Sequence, residues 1–304
     1  MIIQPTDLPA LRVGLGRWID ESKGWWEATW RKPPELATRR PLRQNLDAAE
    51  LFYVAPEMAR LAMHAADSLP DYVLRIEDVP APAGFLYTPE TLHTTIYEET
   101  ILGVPQTLSA SVTGIYWTVA AANEDYPHGA VIIVRLADKA DFHRQLRDAG
   151  YVVTGSAPGL YLPFSTTAWP LSGDSYQWGS EEEARHDRHY PDNRIFKTIW
   201  RLMQQPLIVN EAARFDRAAR RRLERQQVPP AAVRVIRLRR GAHGDSNGQQ
   251  DHEHFHQWVV RGHWRQQPYG PKGSLRRPVW IAPHVKGPEG APLLGGEKVH
   301  AWVR

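Results

Sequence analysis

The sequence has 304 residues, of which 42% are hydrophobic, a length and composition that suit one large globular domain or two smaller ones. It contains no cysteine, which excludes disulfides, thiolate nucleophiles and zinc sites with a cysteine ligand. The longest apolar run, GAVIIVRLA at 129–137, is shorter than the roughly 18–20 residues that a membrane span needs, and the N-terminus lacks a signal-peptide pattern. We therefore expect a cytoplasmic protein without membrane contact.

The formal net charge of +3 conceals an uneven distribution of charge along the chain. Residues 1–213 hold 19 Lys and Arg against 27 Asp and Glu, a net charge of −8. Residues 214–304 hold 18 against 7, a net charge of +11. Such an asymmetry is typical of a chain whose basic part binds a polyanion, or whose two parts dock on each other.

The N-terminal half shows the patterns of a mixed α and β domain. Residues 45–68 carry apolar residues at helical spacing and are predicted to form one helix, capped by Asn45 or Asp47. Three further runs predict strands and one predicts a capped helix. The strands are expected at 80–92, 110–122 and 129–137, and the helix at 138–150.

Polar residues 168–192 predict a connector between an acidic domain, residues 1–190, and a basic module, residues 191–304. The module begins with helical patterning at 192–205 and 207–226, which Pro206 interrupts. The apolar runs that follow predict an antiparallel β-meander, so the fold class is expected to be α+β. Its strands are expected at 232–240, 252–267, 276–285 and 297–304.

Arg217, Arg221 and Arg225 lie largely off the apolar stripe of the basic helix. A row of arginines of this kind is either a solvated face or a surface that follows the phosphates of a nucleic acid. Both interpretations remain open from the sequence.

The stretch HQWVVRGHWR at 256–265 combines strand-forming residues with histidines, arginines and tryptophans. Because side chains alternate along a strand, Arg261, His263 and Arg265 share one side, and Trp258 and Trp264 share the other. If the following strands pair as a meander, one side of the sheet also gathers three more basic groups that suit contact with a phosphodiester. These are His284, Lys286 and His300.

The same residue types suit RNA cleavage without a metal. One histidine removes the proton of the 2′-OH, a second protonates the leaving 5′-oxygen, and arginine stabilises charge on the phosphate. A structural role remains open, with His263 at a strand edge and the tryptophans in the core. The candidate catalytic residues are His263, Arg261, Arg265 and His284, and the candidate nucleic-acid-binding residues are Arg217, Arg221, Arg225, Lys286 and His300.

A metal site is the alternative for the run DHEHFH at 251–256, where His252, His254 and His256 share one strand face and suit Zn²⁺ or Ni²⁺. The run does not fit the HxHxDH pattern of metallo-β-lactamase-like hydrolases, because Phe255 and His256 stand where the aspartate is needed. We therefore expect neither a metal nor another cofactor.

The C-terminal segment VRGHWR followed by WIxPxxKGP resembles a protein family of actinobacteria and of their phages and mobile elements. The resemblance is strong over residues 233–304, extends to IWRLMQQPL at 199–207, and is loose elsewhere. It implies an actinobacterial or actinophage origin and carries over no activity and no functional residue.

Two functional hypotheses follow from these patterns. The first is a protein of a phage, mobile element or actinobacterium that acts on nucleic acid, with RNA preferred to DNA. Under this hypothesis the protein either binds the nucleic acid or cleaves it as a metal-independent ribonuclease of the toxin or defence type. The second is a non-enzymatic interaction protein, such as a phage-encoded inhibitor or regulator, whose basic module docks on a host protein or on its own acidic half.

Overall fold

The computed structural model describes residues 3–21, 39–70, 74–101, 104–124, 126–148, 150, 161–172, 192–239 and 258–286. The chain divides into two compact units, Met1–Arg239 and Arg240–Arg304. Helices that cover a mixed sheet in the first unit, and antiparallel strands in the second, confirm the predicted α+β class. No helix within the described ranges is long and apolar enough to cross a membrane.

The described part of the first unit contains six α-helices, two short 3-10 helices (Pro5–Asp7 and Ile76–Asp78) and eight strands. The helices are α1 (Leu8–Glu21), α2 (Arg39–Ala48), α3 (Pro56–Ala66), α4 (Lys139–Asp148), α5 (Asp192–Met203) and α6 (Arg217–Arg225). The strands are β1 (Glu50–Val54), β2 (Ala83–Tyr87), β3 (His93–Ile101), β4 (Val104–Ala120), β5 (Ala130–Asp138), β6 (Tyr161–Pro170), β7 (Ile208–Ala212) and β8 (Val233–Leu238).

The eight strands form one sheet in the order β6-β5-β4-β2-β1-β8-β7, with β3 paired to β4. Strand β1 pairs in parallel with both β2 and β8, and the other pairs are antiparallel. Because β1 has a neighbour on each side and side chains packed on both faces, Leu51, Phe52 and Val54 are buried. Helices α1 and α2 pack on one face of the sheet, and α3 and α5 pack together on the other.

The prediction of one helix over 45–68 is wrong, because two helices and a strand occupy this segment. The residues LFYV at 51–54 are aromatic or apolar and form the strand at the centre of the sheet, where packing outweighs the helical spacing. Helix α3 starts after Ala55, which is extended, with Pro56 in its first turn. Asn45 and Asp47 therefore lie inside α2 and cap no long helix.

The prediction of a helix over 207–226 is also wrong in its first half. The β-branched residues Ile208 and Val209 lie in β7, at the sheet edge, and only Arg217–Arg225 is helical. Asp216 sets the start of α6, since its carboxylate accepts a hydrogen bond from the backbone N–H of Ala219 at 2.7 Å. Strands at 83–87, 104–120 and 130–138 and helices at 139–148 and 192–203 confirm the other predictions, whereas β3 and β6 were not predicted.

The division into units differs from the predicted boundary at 190/191. Residues 192–239 belong to the first unit, because β8 pairs with β1 and α5 packs on α3. Residues 1–239 hold 28 Lys and Arg against 29 Asp and Glu, a net charge of −1. Residues 240–304 hold 9 Lys and Arg against 5 Asp and Glu, a net charge of +4. The charge contrast of the sequence is therefore largely a contrast within one unit. The predicted connector overlaps β6 at its start, and its residues 173–191 lie outside the described ranges.

Among the described residues, two ion pairs join the basic segment of the first unit, 214–239, to the acidic segment, 1–213. Arg222 of α6 binds Asp7 at 2.6 Å, and Arg234 of β8 binds Glu50 of β1 at 2.8 Å. Opposite charges that are far apart in the sequence thus meet within the fold.

A buried polar network holds α5 on the sheet. The guanidinium of Arg135, 1% exposed in β5, donates to the carboxylate of Asp192, to the amide oxygen of Asn193 and, at 3.1 Å, to Thr167 Oγ1. Near the other end of α5, buried Arg201 donates to the carboxylate of Asp78. Each of these arginines has a carboxylate partner, as the high cost of an unpaired charge in the protein interior requires.

Aromatic rings fill the space beside this network. Trp117 packs against Phe52 at 5.5 Å and against Trp200 of α5 at 4.9 Å, between ring centroids, and Trp200 also contacts Trp169 at 5.4 Å. Gly84 leaves room for Trp117, since a Cβ there would lie 2.1 Å from the indole ring. The aromatic cluster and the network together attach α5 to the sheet.

Candidate nucleic-acid interface

The described part of the second unit is a β-hairpin. Its strands are β9 (Trp258–Val260), β10 (His263–Tyr269), β11 (Leu275–Ile281) and β12 (His284–Lys286). The ladder β10–β11 pairs His263 with Ile281, and the ladder β12–β9 pairs Val260 with His284. Because both ladders keep the same offset, they are two parts of one antiparallel hairpin, the pairing that a meander predicts for the strands at 252–267 and 276–285. The strand predicted at 232–240 belongs instead to the sheet of the first unit as β8, and the strand predicted at 297–304 lies outside the described residues.

The hairpin is interrupted at Arg261–Gly262 on one strand and at Ala282–Pro283 on the other. Pro283 has no N–H to donate to a ladder. Gly262 lies against the ring of Trp280, where a Cβ would come within 2.4 Å of Cζ2. A proline and a close approach of backbone to an indole ring thus explain the break in the predicted long strand.

The turn of the hairpin presents a lysine. Residues Gly270, Lys272 and Gly273 have φ angles of 75°, 53° and 66°. This left-handed conformation suits glycine and is uncommon for lysine. Lys272 is exposed at this tip, and Arg276 Nη1 donates to the carbonyl of Gly273 at 2.6 Å, which ties the turn to β11.

The charge of the hairpin has one sign only. Residues 258–286 contain six Lys and Arg and no Asp or Glu, so no cation can pair with a carboxylate inside the hairpin. All six side chains are exposed, which concentrates positive potential along a short two-stranded ribbon. They are Arg261, Arg265, Lys272, Arg276, Arg277 and Lys286.

The two faces of the hairpin differ in chemistry, because residues paired across an antiparallel ladder point to the same side. The first face carries His263 and Arg265 on β10, with Val279 and Ile281 beside them on β11. Trp264 and Trp280 pair on the second face, where their rings make an edge contact at 5.4 Å and Trp280 is 3% exposed. A basic face and an aromatic face are therefore separated by the strand alternation.

His284 and Lys286 do not join the first face, and their predicted place there is corrected. His284 pairs with Val260, and Lys286 pairs with Trp258. Val260 and Trp258 belong to the side of the strand that the sequence assigned to the aromatic face. The prediction assumed a meander of unknown register, and the observed register reverses the side of both residues. His263 and His284 thus lie on opposite sides of the ribbon.

Both histidines are oriented by the backbone. The Nδ1 atom of His263 lies 3.0 Å from the carbonyl oxygen of Arg261, and that of His284 lies 3.1 Å from the carbonyl oxygen of Ala282. A carbonyl oxygen only accepts hydrogen bonds, so Nδ1 carries the proton in each ring. In the neutral imidazole the Nε2 atom is then an acceptor.

The arginines of α6 lie in the first unit and not on the hairpin. Arg217, Arg221 and Arg225 are exposed, and Arg225 Nε donates to the carbonyl of Arg221 at 3.3 Å. They form a second basic surface, next to Arg222, whose charge is offset by Asp7.

Four predicted residues cannot be placed. The candidate binding residue His300 and the possible metal ligands His252, His254 and His256 lie outside the described residues. Within the described part of the chain, no group of three or more His, Asp or Glu residues is arranged to hold a metal ion.

Four residues of the hairpin were missed by the sequence prediction: Lys272, Arg276, Arg277 and Tyr269. Arg277 Cζ lies over the ring of Tyr269, 5.2 Å from its centroid, and both residues belong to the first face. The absence of acidic residues from 258 to 286 was a signal in the sequence for the three cations. The contact of Arg277 with Tyr269 had no such signal in the sequence, because it depends on the register between β10 and β11.

The chain matches no model of a known protein family and no curated protein. The geometry and charge of the hairpin therefore carry the functional argument.

Proposed function

We propose that the protein binds nucleic acid, RNA in preference to DNA, through the phosphate contacts of its C-terminal hairpin, and that it does so in the cytoplasm. The observation that carries the proposal is the set of six exposed cations on residues 258–286, a segment without a single carboxylate. Phosphate contacts by lysine and arginine supply most of the affinity of such binding. A phage or mobile-element setting, which the sequence resemblance implies, belongs to the same proposal.

Binding without cleavage is the function that the geometry supports best. Cleavage by two histidines needs a base and an acid close to one phosphate. His263 and His284 are on opposite faces and their register positions are three residues apart, since His263 pairs with Ile281. At about 3.4 Å per residue this is a separation of about 10 Å along the strand.

The test uses the full chain and a labelled RNA oligonucleotide of mixed sequence. Fluorescence anisotropy compares the wild type with the double variant Arg265→Gln, Arg277→Gln, which removes two charges from the first face. The matched control is Arg144→Gln, Arg147→Gln, which removes two exposed charges from α4 of the first unit. We expect the hairpin variant to bind RNA at least about tenfold more weakly, since a hydrogen bond to a charged group contributes about 1.5–3 kcal/mol.

The control variant should bind like the wild type. Equal losses in both variants would indicate dependence on overall charge rather than on the hairpin and would contradict the proposal.

A denaturing gel of the same RNA, incubated with the wild-type protein in the presence of a chelator, tests cleavage. We expect intact RNA, and chelator-resistant cleavage that His263→Ala abolishes would show that the protein is a ribonuclease.

A further inference from the structure

We propose that the first face of the hairpin holds an extended single strand of RNA, with a phosphate at Arg265 and a base stacked on Arg277. This inference rests on the proposed function and names the form of nucleic acid that the same surface takes.

Polar and apolar side chains form two rows on this face, with His263, Arg265 and Gln267 on β10 and Ile281, Val279 and then Arg277 on β11. Arg265 pairs with Val279 and His263 with Ile281, and both apolar side chains are partly exposed. Side chains on one face repeat about every 6.7 Å along a strand, a spacing comparable to that of successive phosphates in an extended single strand. A backbone that follows β10 past Arg265 places its bases over Val279 and Ile281 of β11, about 5 Å away.

Arg277 offers a stacking surface at the end of the rows. It is exposed, and Tyr269 supports its guanidinium from one side at 5.2 Å. Unpaired bases stack on aromatic rings and on guanidinium planes, whereas bases in a duplex are already stacked on each other. The pair therefore favours an unpaired base on the open side of Arg277.

Gln267 is not disposed to read base edges in a duplex groove. Its side-chain oxygen accepts from Arg265 Nη2, and its side-chain nitrogen donates to the carbonyl of Pro268 at 3.3 Å. A ribbon that reads a major groove uses such amides and guanidinium groups on base edges. Here the amide is engaged within the hairpin, which favours backbone contacts and stacking instead.

His263 provides a reason for RNA over DNA. It lies between Arg261 and Arg265 in the sequence, is exposed, and has Nε2 as its acceptor because Nδ1 faces the Arg261 carbonyl. A 2′-OH beside the phosphates donates a hydrogen bond to such an acceptor, and deoxyribose lacks this group.

The experiment measures the affinity of the full chain for four probes. These are a single-stranded RNA, the same strand in a duplex with its complement, the DNA strand of the same sequence, and inorganic polyphosphate. The decisive variant is Arg277→Lys, which keeps the charge and removes the planar guanidinium. The control is Arg147→Lys, the same substitution at an exposed arginine of α4 in the first unit, outside the hairpin.

We expect the wild type to bind single-stranded RNA more tightly than the other three probes. Arg277→Lys should weaken RNA binding by about fivefold or more, the lower bound for loss of one stacked base. Its affinity for polyphosphate should not change, and Arg147→Lys should resemble the wild type with every probe. His263→Ala should reduce the preference of RNA over DNA.

Equal affinity for RNA, duplex and polyphosphate, with no effect of Arg277→Lys, would overturn the single-strand inference and leave the proposed function standing. Failure to bind any of the four probes would remove the proposed function itself. The comparison of probes on the wild type alone decides between these outcomes even if a variant does not fold.

Discussion

The arginines of this protein occupy two contrasting environments. In the first unit, Arg135 and Arg201 are buried and donate to Asp192 and Asp78. In the hairpin of the second unit, the cations are exposed and the segment has no carboxylate. A buried charge requires a partner within the fold, whereas an exposed charge can remain available to a ligand. The difference separates arginines that hold the fold together from arginines that are suited to bind.

The largest expected effect concerns the buried network. Asp192→Ala leaves Arg135 buried without its carboxylate, which we expect to lower the free energy of unfolding by about 3–5 kcal/mol. Chemical denaturation followed by tryptophan fluorescence measures the change, because the buried rings of Trp200 on α5 and Trp169 on β6 are in contact where α5 packs on the sheet. A loss below about 1 kcal/mol would mean that the buried pair contributes as little as a surface pair.

The aromatic face of the hairpin provides the second effect. Trp280 is almost fully buried and Trp264 is half-buried. We expect Trp280→Ala to destabilise the hairpin by up to about 3–5 kcal/mol, and Trp264→Ala by less. Hydrogen exchange of the backbone amides of β10 and β11 measures this locally. If Trp264→Ala has the larger effect, the burial of the two rings is assigned the wrong way round.

The basic helix α6 should matter less for RNA than the hairpin does. Arg217, Arg221 and Arg225 lie in a unit whose charges nearly balance. We expect their joint replacement by glutamine to weaken RNA binding by less than about 1 kcal/mol, as screened charges outside the contact surface do. A loss that equals or exceeds that of the hairpin variant would place the binding surface on α6.

The smallest effect is expected for the ion pair between Arg222 and Asp7. Arg222 is 42% exposed, so solvent screens the pair. We expect Arg222→Gln to change the free energy of unfolding by about 0–1 kcal/mol, measured by the same denaturation experiment. A larger loss would show that α6 depends on this pair for its attachment.

The sequence predicted elements that have a strong local pattern. The alternation and β-branched residues of GAVIIVRLA gave β5, and the capped amphipathic run after it gave α4. The sequence pattern did not predict β1 or β7, because their aliphatic residues also fit the apolar stripe of a helix. Their conformation depends on pairing with β8, and β1 also pairs with β2, contacts that no local pattern records.

For the candidate interface, alternation placed Arg265 and Trp264 on opposite faces, as the register has them. The side of His284 depended on the register between the two strands, which the sequence left open. The boundary between the units was missed for a similar reason, since the parallel pairing of β1 with β8 joins residues about 180 positions apart.

The salt dependence of RNA binding tests most directly the central claim that exposed cations of the hairpin contact phosphates. For a single strand, the slope of log affinity against log salt is about −0.7 per phosphate contact. We predict that Arg265→Gln, Arg277→Gln makes this slope shallower by about 0.7, the contribution of the phosphate contact at Arg265, while Arg144→Gln, Arg147→Gln leaves it unchanged. An identical slope for the wild type and the hairpin variant would show that Arg265 does not contact phosphate and would contradict the account.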